Sequence, residues 1–423
     1  MSDTGSRIGQ RVRKRRVFYI PGYDPFHPRR YRELYRSEGA EQARISGYSI
    51  AVAGRSGEGK PHSWHVETEI EGLRTEADVD VLVWSDIVRD SMSNSIPATY
   101  WQLVRTAWTY IASGALRRLM WLRKGPVIAA LYPIGMLLLQ LALAILIGWG
   151  SSALVAWMVD SLLGLIGVHL PAIAHGARLA VGLALAVWIL RWFKKKDGKF
   201  FAYYLMHDYA YSARWKGGNP PELEERMAAF GETITEAFAD PEVDEVLVVG
   251  HSSGAHLAVS ILADLIRDER LKEPRAKLGF LSLGQVVPMV SFLPKAYRLR
   301  NDLYFLCQRD ELTWLDVTAP GDGCAFALCD PVLVTGLKPP AKKWPLIISA
   351  AFTQSLSPER WKELRWRFFR LHFQYLCAFD RPKDYDYFQI TAGPMTLAER
   401  YAERVPSKSR IDVAASKYRA LAP

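Results

Sequence analysis

At 423 residues the chain is too long for a minimal fold and can hold two domains, or one domain with a large insertion. Hydrophobic residues make up 49% of it and the formal net charge is +10, which points to an anionic partner, with membrane headgroups and nucleic acid in competition. The four cysteines (Cys307, Cys324, Cys329, Cys377) show no Cys-x-x-Cys spacing, which argues against a cysteine metal knuckle or a disulfide framework and reads as reduced cytosolic thiols.

Residues 1–16 form a basic tail ending in Arg11-Val-Arg-Lys-Arg-Arg16, and the apolar run after it is too short for a secretory signal core. Val17-Phe-Tyr-Ile-Pro-Gly22 predicts a first buried strand that ends in a glycine turn before Tyr23. A helix is expected over 29–44. Strands are expected over 47–53 and 63–70, with Gly57-Glu-Gly-Lys60 as the turn between them. Val79–Trp84 reads as another buried strand, and 97–122 as helical.

Between Gly125 and Leu190 only Asp160 and Arg178 are formally charged. Val127–Trp149 is long enough to cross a bilayer, which takes about 20 apolar residues, and Ala177–Phe193 is a second, shorter candidate. The piece over 152–170 reads as interfacial or re-entrant, with a third span as the alternative. Arg117, Arg118, Arg123 and Lys124 precede the block, and Arg191, Lys194, Lys195, Lys196 and Lys199 follow it. Basic collars on both flanks place both ends on the cytoplasmic side and require an even number of spans, hence two. The expected location is the cell (inner) membrane, multi-pass, with N- and C-terminal regions cytoplasmic. A buried hairpin of a soluble protein is the bland alternative. Attraction of the Arg11–Arg16 run to anionic lipid, at about 1 kcal/mol per basic residue, is simpler than an RNA contact. The lipid bilayer is therefore the expected partner, and no nucleic acid is expected.

Residues 200–215, rich in Tyr and Trp, are expected along the membrane surface or against the catalytic domain. A helix over 221–239 feeds a strand, followed by a helix over 253–268 and a strand over 277–284. Strands are expected over 302–307 and 312–317, then a Pro-rich loop over 338–345, a helix over 358–370 and a polar tail. Strands alternating with helices on both sides of the hairpin predict an α/β domain, its sheet mostly parallel with helices on both faces. The divisions are a basic tail (1–16), a first part of the α/β domain (17–122), the hairpin insertion (123–199), the second part of the domain (200–400) and a polar tail (401–423).

Asp244–Ala258 carries the chemistry. Val246–Val249 runs into Gly250-His251-Ser252-Ser253-Gly254, and an apolar helix pattern follows at once. A serine on so tight a strand-to-helix turn needs small residues two before and two after it. It then sits where helix N–H groups favour developing negative charge. Such a nucleophile requires a base and a carboxylate that orients the base. Downstream histidines are His256, in the following helix where it reads as packing, and His372, the candidate base. Asp316, inside a strand pattern, and Asp322, just past it, compete for the acid, and the strand-end position favours Asp322. The oxyanion donors are assigned to the Ser253 amide and, from the loop Pro21-Gly22-Tyr23, the Tyr23 amide. His62 and His65 lie three apart in a strand, which splits them between faces. No metal site and no cofactor is expected.

Pro21-Gly22-Tyr23, Gly250-His-Ser-Ser-Gly254, a later Asp and a terminal His together resemble the α/β-hydrolase superfamily, over most of the chain outside about 100–215. Ala319-Pro-Gly-Asp-Gly-Cys-Ala-Phe-Ala-Leu-Cys-Asp-Pro331 and His372-Phe-Gln-Tyr375 are also similar to segments of the DDHD-domain intracellular phospholipases. That resemblance implies Asp322 as the acid and His372 as the base. Gly323 and Cys324 depart from the family's Pro-Val, Ala327 stands where an arginine is usual, and Ala255 where many lipases have a glycine. The expectation is a membrane-anchored serine hydrolase acting on lipid or acyl esters through Ser252, His372 and Asp322. The competing expectation is a non-catalytic membrane protein that uses such a fold as a binding or scaffold module.

Overall fold

The computed structural model describes residues 12–55, 62–92, 95–165, 171–271 and 275–423. The turn expected at Gly57–Lys60 and the first eleven residues lie outside them. Eight strands make one sheet: β1 (Lys14–Ile20), β2 (Ser49–Gly54), β3 (Ser63–Ile70), β4 (Leu73–Val81), β5 (Glu245–His251), β6 (Lys277–Leu283), β7 (Leu312–Thr318) and β8 (Leu346–Ser349). Their order is β2-β3-β4-β1-β5-β6-β7-β8. The pairs from β4 to β8 are parallel, while β2, β3 and β4 form an antiparallel meander at one edge. The chain is thus α/β with a mostly parallel sheet.

The helices are α1 (Arg29–Ser46), α2 (Ser85–Ser91), α3 (Ile96–Ala112), α4 (Ala115–Leu122), α5 (Lys124–Leu165), α6 (Pro171–Lys195), α7 (Asp197–Phe200), α8 (Ala202–Arg214) and α9 (Pro221–Phe238). Beyond β5 come α10 (Ser253–Arg267), α11 (Val287–Ser291), α12 (Tyr297–Leu306), α13 (Pro331–Val334), α14 (Phe352–Ser355), α15 (Pro358–Leu364), α16 (Phe368–His372), α17 (Tyr387–Ala392) and α18 (Leu397–Arg400). Strand alternation divides the core. Val17, Tyr19, Leu247, Val249, Leu281, Leu283, Leu315 and Val317 pack with α1 and the C-terminal helices. The intervening Phe18, Val246, Val248, Phe280 and Trp314 are equally buried, and α10 lies on β5 and β1 between α9 and α12.

The chain divides into two compact units. The first comprises residues 1–90, 110–127 and 215–423, and the second 91–109 and 128–214. Helix α5, which starts in the first unit and continues through the second, is a single helix of 42 residues, about 63 Å long at 1.5 Å per residue. Residues 152–165, expected as a separate interfacial piece, continue it without a break because nothing between Trp149 and Leu165 caps or stops a helix. Gly148 and Gly182 let α5 and α6 touch, since a Cβ on Gly148 would lie 2.7 Å from the Gly182 carbonyl oxygen. Near the other end of the hairpin, Leu103, Leu137, Ala202, Tyr203, Met206 and Ala210 form a buried cluster, and Tyr100 Oη donates to Leu137 O at 2.8 Å. The 200–215 stretch, expected along the membrane surface or against the catalytic domain, contains helix α8, which packs into this cluster.

Several expectations need correction. The basic tail ends earlier than 16, because β1 starts at Lys14 and takes the basic run into the fold. Arg15 is fully buried and pairs with Glu245 at 2.6 Å, its other nitrogens donating to Gly393 O and Met395 O. Arg16 pairs with Asp80, and Lys14 with Asp240 and Glu242. Arg15 and Arg16, buried in these pairs, are not available to lipid, whereas Lys14 stays partly exposed. Residues 302–306 are helical, with Cys307 capping the helix, not a strand, since Leu299, Leu303 and Leu306 bury one face of α12. The stretch over 97–122 breaks at Gly114, whose φ is 74°. β4 begins at Leu73, joined to β3 through Glu71 and Gly72, both with positive φ as a tight hairpin requires. The 401–423 segment is not a free tail: Ser407 N donates to Ile347 O, Ser416 N to Val334 O, and Cys329 bridges Ile411.

Candidate functional site

Ser252 stands between β5 and α10 with φ 57° and ψ −119°, a conformation that L-residues rarely adopt and that concentrates at functional sites. The surrounding glycines have a steric reason. A Cβ on Gly250 would meet Ala255 Cα at 2.7 Å, and one on Gly254 would lie 2.1 Å from Ile20 O. The strained serine is held by Ser252 N donating to Leu283 O at 2.9 Å. Its side chain stays partly open to solvent.

The loop after β1 lies against it. A Cβ on Gly22 would be 3.0 Å from Ser252 Cβ and 3.4 Å from its Oγ. Trp84 Nε1 donates to Pro21 O at 2.9 Å, and Tyr23 is buried with its ring edge-on to Trp84. Asp24 next along accepts from Phe26 N, Arg30 and Tyr31 Oη, so the loop is tied to the start of α1. The Ser253 amide opens α10, in the first turn, where a helix has no internal acceptor.

Asp322 and His372 meet. His372 Nδ1 lies 2.7 Å from Asp322 Oδ2, with both side chains buried. Tyr375 Oη donates to the same oxygen at 3.0 Å while accepting from Ala319 N at 2.9 Å, and Cys324 N donates to Asp322 Oδ1 at 2.8 Å. Burial alone raises the Asp322 pKa, but the His372 charge and these donors outweigh it and hold the carboxyl below its ordinary value. An ionised Asp322 only accepts, so His372 Nδ1 is the donor in this bond and Nε2 is the ring nitrogen turned away from the carboxylate.

His251 links this pair to the serine turn. Its ring centroid is 4.8 Å from that of His372, and its Nε2 donates to the His372 carbonyl at 3.0 Å. Burial, then the nearby His372 charge, lowers its pKa to about 3, so it is a neutral donor at physiological pH. Gly284, with φ 53°, follows the Leu283 carbonyl that binds Ser252 N. A Cβ there would strike Tyr375 Cε2 at 2.8 Å and His372 Cε1 at 3.0 Å. The hydrogen bonds of His372 thus run to Asp322 and His251; none joins it to the Ser252 hydroxyl.

Asp316 is elsewhere. It lies in β7, hydrogen-bonded to Ser282 Oγ at 2.6 Å, with Trp314 Nε1 donating to the same hydroxyl. Burial pushes its pKa to about 8, only partly opposed by Ser282, so it is a neutral acid near pH 7. His256 points into the helix packing, with Nδ1 unpartnered and its pKa lowered by burial to about 4. His65 Nδ1 lies 2.9 Å from Asp78, away from this site. His372 ends the short helix α16 rather than following a long one. Sequence reasoning did not assign roles to Tyr375, His251 or Gly284. The signals were present: Tyr375 falls one turn after His372, and His251 precedes the serine.

Asp322, Cys324 and His372 also offer potential ligand atoms within 4.8 Å of one another. Both Asp322 oxygens and His372 Nδ1 are already committed to hydrogen bonds, so the cluster holds itself together through protons. No family model, curated protein or solved structure matches the chain.

Proposed function

We propose that the protein is a membrane-anchored serine hydrolase of the α/β-hydrolase type, cleaving ester bonds of lipid or acyl-ester substrates. The reading rests on one observation above the rest: the buried Asp322–His372 hydrogen bond, whose histidine ring lies 4.8 Å from that of His251, and, in the next residue, a serine held at φ 57° and ψ −119° between a central parallel strand and a helix. Ser252 Oγ attacks the ester carbonyl as His372 Nε2 takes its proton, and Asp322 stabilises the imidazolium. The Tyr23 and Ser253 amides receive the oxyanion. The alkoxide leaves with the proton from His372, and water, activated by the same nitrogen, releases the acid and restores Ser252.

Anchoring is supported by α5 and α6, which are long and apolar enough to cross a bilayer, although helices of that kind also occur in soluble cores. Here only 22% and 6% of their most apolar windows are buried, too little for a core helix. Basic residues at both feet of the hairpin favour two spans, with the rest of the chain cytoplasmic.

A second reading, a non-catalytic scaffold, is favoured by the missing Ser252–His372 hydrogen bond, although such bonds often tighten only when substrate binds. Fluorophosphonate labelling of detergent-solubilised protein decides between them. Labelling of wild type and not of Ser252→Ala supports the hydrolase; no labelling and no turnover of short acyl esters removes it.

A further inference from the structure

We propose that Lys362–Arg370, the segment leading to His372, docks on the surface of an anionic lipid bilayer, an inference that rests on the membrane reading above. Its sequence, Lys362-Glu-Leu-Arg-Trp-Arg-Phe-Phe-Arg370, places aromatic rings among guanidinium groups. Trp366 is 72% exposed and Phe368 48%, while Lys362, Arg365, Arg367 and Arg370 are exposed around them. Arg367 and Arg370 share one carboxylate, Glu363, at 3.1 and 3.3 Å. Arg365 lies over the Trp366 ring at 5.6 Å, and among the described residues neither it nor Lys362 is ion-paired. Large rings left in water beside unneutralised cations suit the headgroup layer, where aromatic bodies enter the apolar boundary and cations meet anionic lipid.

A second observation selects the bilayer over other anionic partners. Phe368 packs on Gly323, where an added Cβ would lie 3.2 Å from its ring. Gly125, in the first turn of α5, packs on the same Gly323, at 3.5 Å from a Cβ on Gly125 to the Gly323 Cα. Arg123 donates to Ala327 O at 2.9 Å and fixes that root, and Trp121 just before it is 66% exposed beside exposed Arg117 and Lys124. All these residues belong to the first unit. The aromatic-basic segment therefore sits at the root of an apolar helix and one residue from Asp322. Docking there brings the Ser252 site to headgroup level, and the substrate class narrows to lipids drawn from an anionic leaflet.

The test uses full-length Ser252→Ala protein in vesicles of phosphatidylcholine, with or without phosphatidylglycerol. Trypsin cleavage after Arg365, Arg367 and Arg370 is followed by mass spectrometry. Docking predicts cleavage slowed on the order of tenfold in the phosphatidylglycerol vesicles at low salt, consistent with several basic contacts. High salt should abolish that protection. So should Trp366→Ser with Phe368→Ser, which keeps every cleavage site. Equal cleavage in both lipids overturns the proposal. Protection that persists in detergent beside a dimer-sized species assigns the face to a second copy of the chain and also overturns it. Vesicle flotation reports the hairpin separately: protein that fails to float removes the membrane reading together with the docking. Because no step uses Ser252 chemistry, failure of docking leaves the hydrolase reading to the labelling experiment.

Discussion

The two buried aspartates near the end of β7 differ in their partners, and that difference can be measured. Asp322→Asn keeps an oxygen for Cys324 N but turns an amide N–H or a weaker acceptor toward His372 Nδ1, now 2.7 Å from a carboxylate. The imidazole then loses the partner that fixes its tautomer and stabilises its charged form, an effect worth about 10⁴-fold in turnover. Asp316→Asn replaces a neutral acid by a neutral amide that can still meet Ser282 Oγ, and we expect activity within about twofold of wild type. Both variants are assayed by hydrolysis of a short acyl ester and by the rate of fluorophosphonate labelling. Loss of activity in Asp316→Asn comparable to that in Asp322→Asn, or more than about a tenth of activity left in Asp322→Asn, would refute the assignment.

Tyr375→Phe removes a donor from Asp322 and leaves the Ala319 N–H without its acceptor, so we expect about 1–3 kcal/mol lower stability by urea unfolding and roughly tenfold slower labelling. Arg15→Ala strands the buried Glu245 carboxylate and should cost about 3–5 kcal/mol, whereas Arg15→Met with Glu245→Leu should recover much of that loss in the same measurement. Asp316 has a folded pKa raised to about 8, so its stabilising contribution is full below the ordinary aspartate pKa and is lost as pH rises toward 8. Asp316→Asn should remove that downward slope from a plot of unfolding free energy against pH; an unchanged slope contradicts the buried neutral acid. Gly148→Leu forces a side chain into the Gly182 carbonyl, and we expect a lower thermal midpoint with Ser252 labelling per folded molecule unchanged.

Strong local patterns were legible. The run Val246–Val249 followed by small residues and an apolar helix gives β5, the serine turn and α10 where spacing predicts them. Asp322 and His372, fifty residues apart, are brought together by the ends of β7 and α16, a proximity for which the sequence offered order but no distance. Short elements misled. Asp302–Cys307 looks like a strand alone and becomes helical only through the Leu299, Leu303 and Leu306 face it buries. The first half of β4 was hidden because it alternates polar residues, with Thr75 and Ala77 buried between Arg74, Glu76 and Asp78. Arg15 and Arg16 read as part of a basic run drawn to anionic lipid, since their partners Glu245 and Asp80 lie far along the chain. Nothing local marks a charge as buried when a remote carboxylate makes the burial tolerable.

The order β4-β1-β5 has a consequence for how the chain is made. β1 is central in the finished sheet, yet its second neighbour, β5, starts roughly 160 residues after β4 ends. During synthesis at about 5–20 residues per second, one side of β1 stays open for on the order of ten seconds. In that interval α5 and α6, the most apolar part of the chain, leave the ribosome. The strand leading into Ser252 is made only after the whole hairpin. Anything that binds those helices as they emerge does so before the Ser252 site exists.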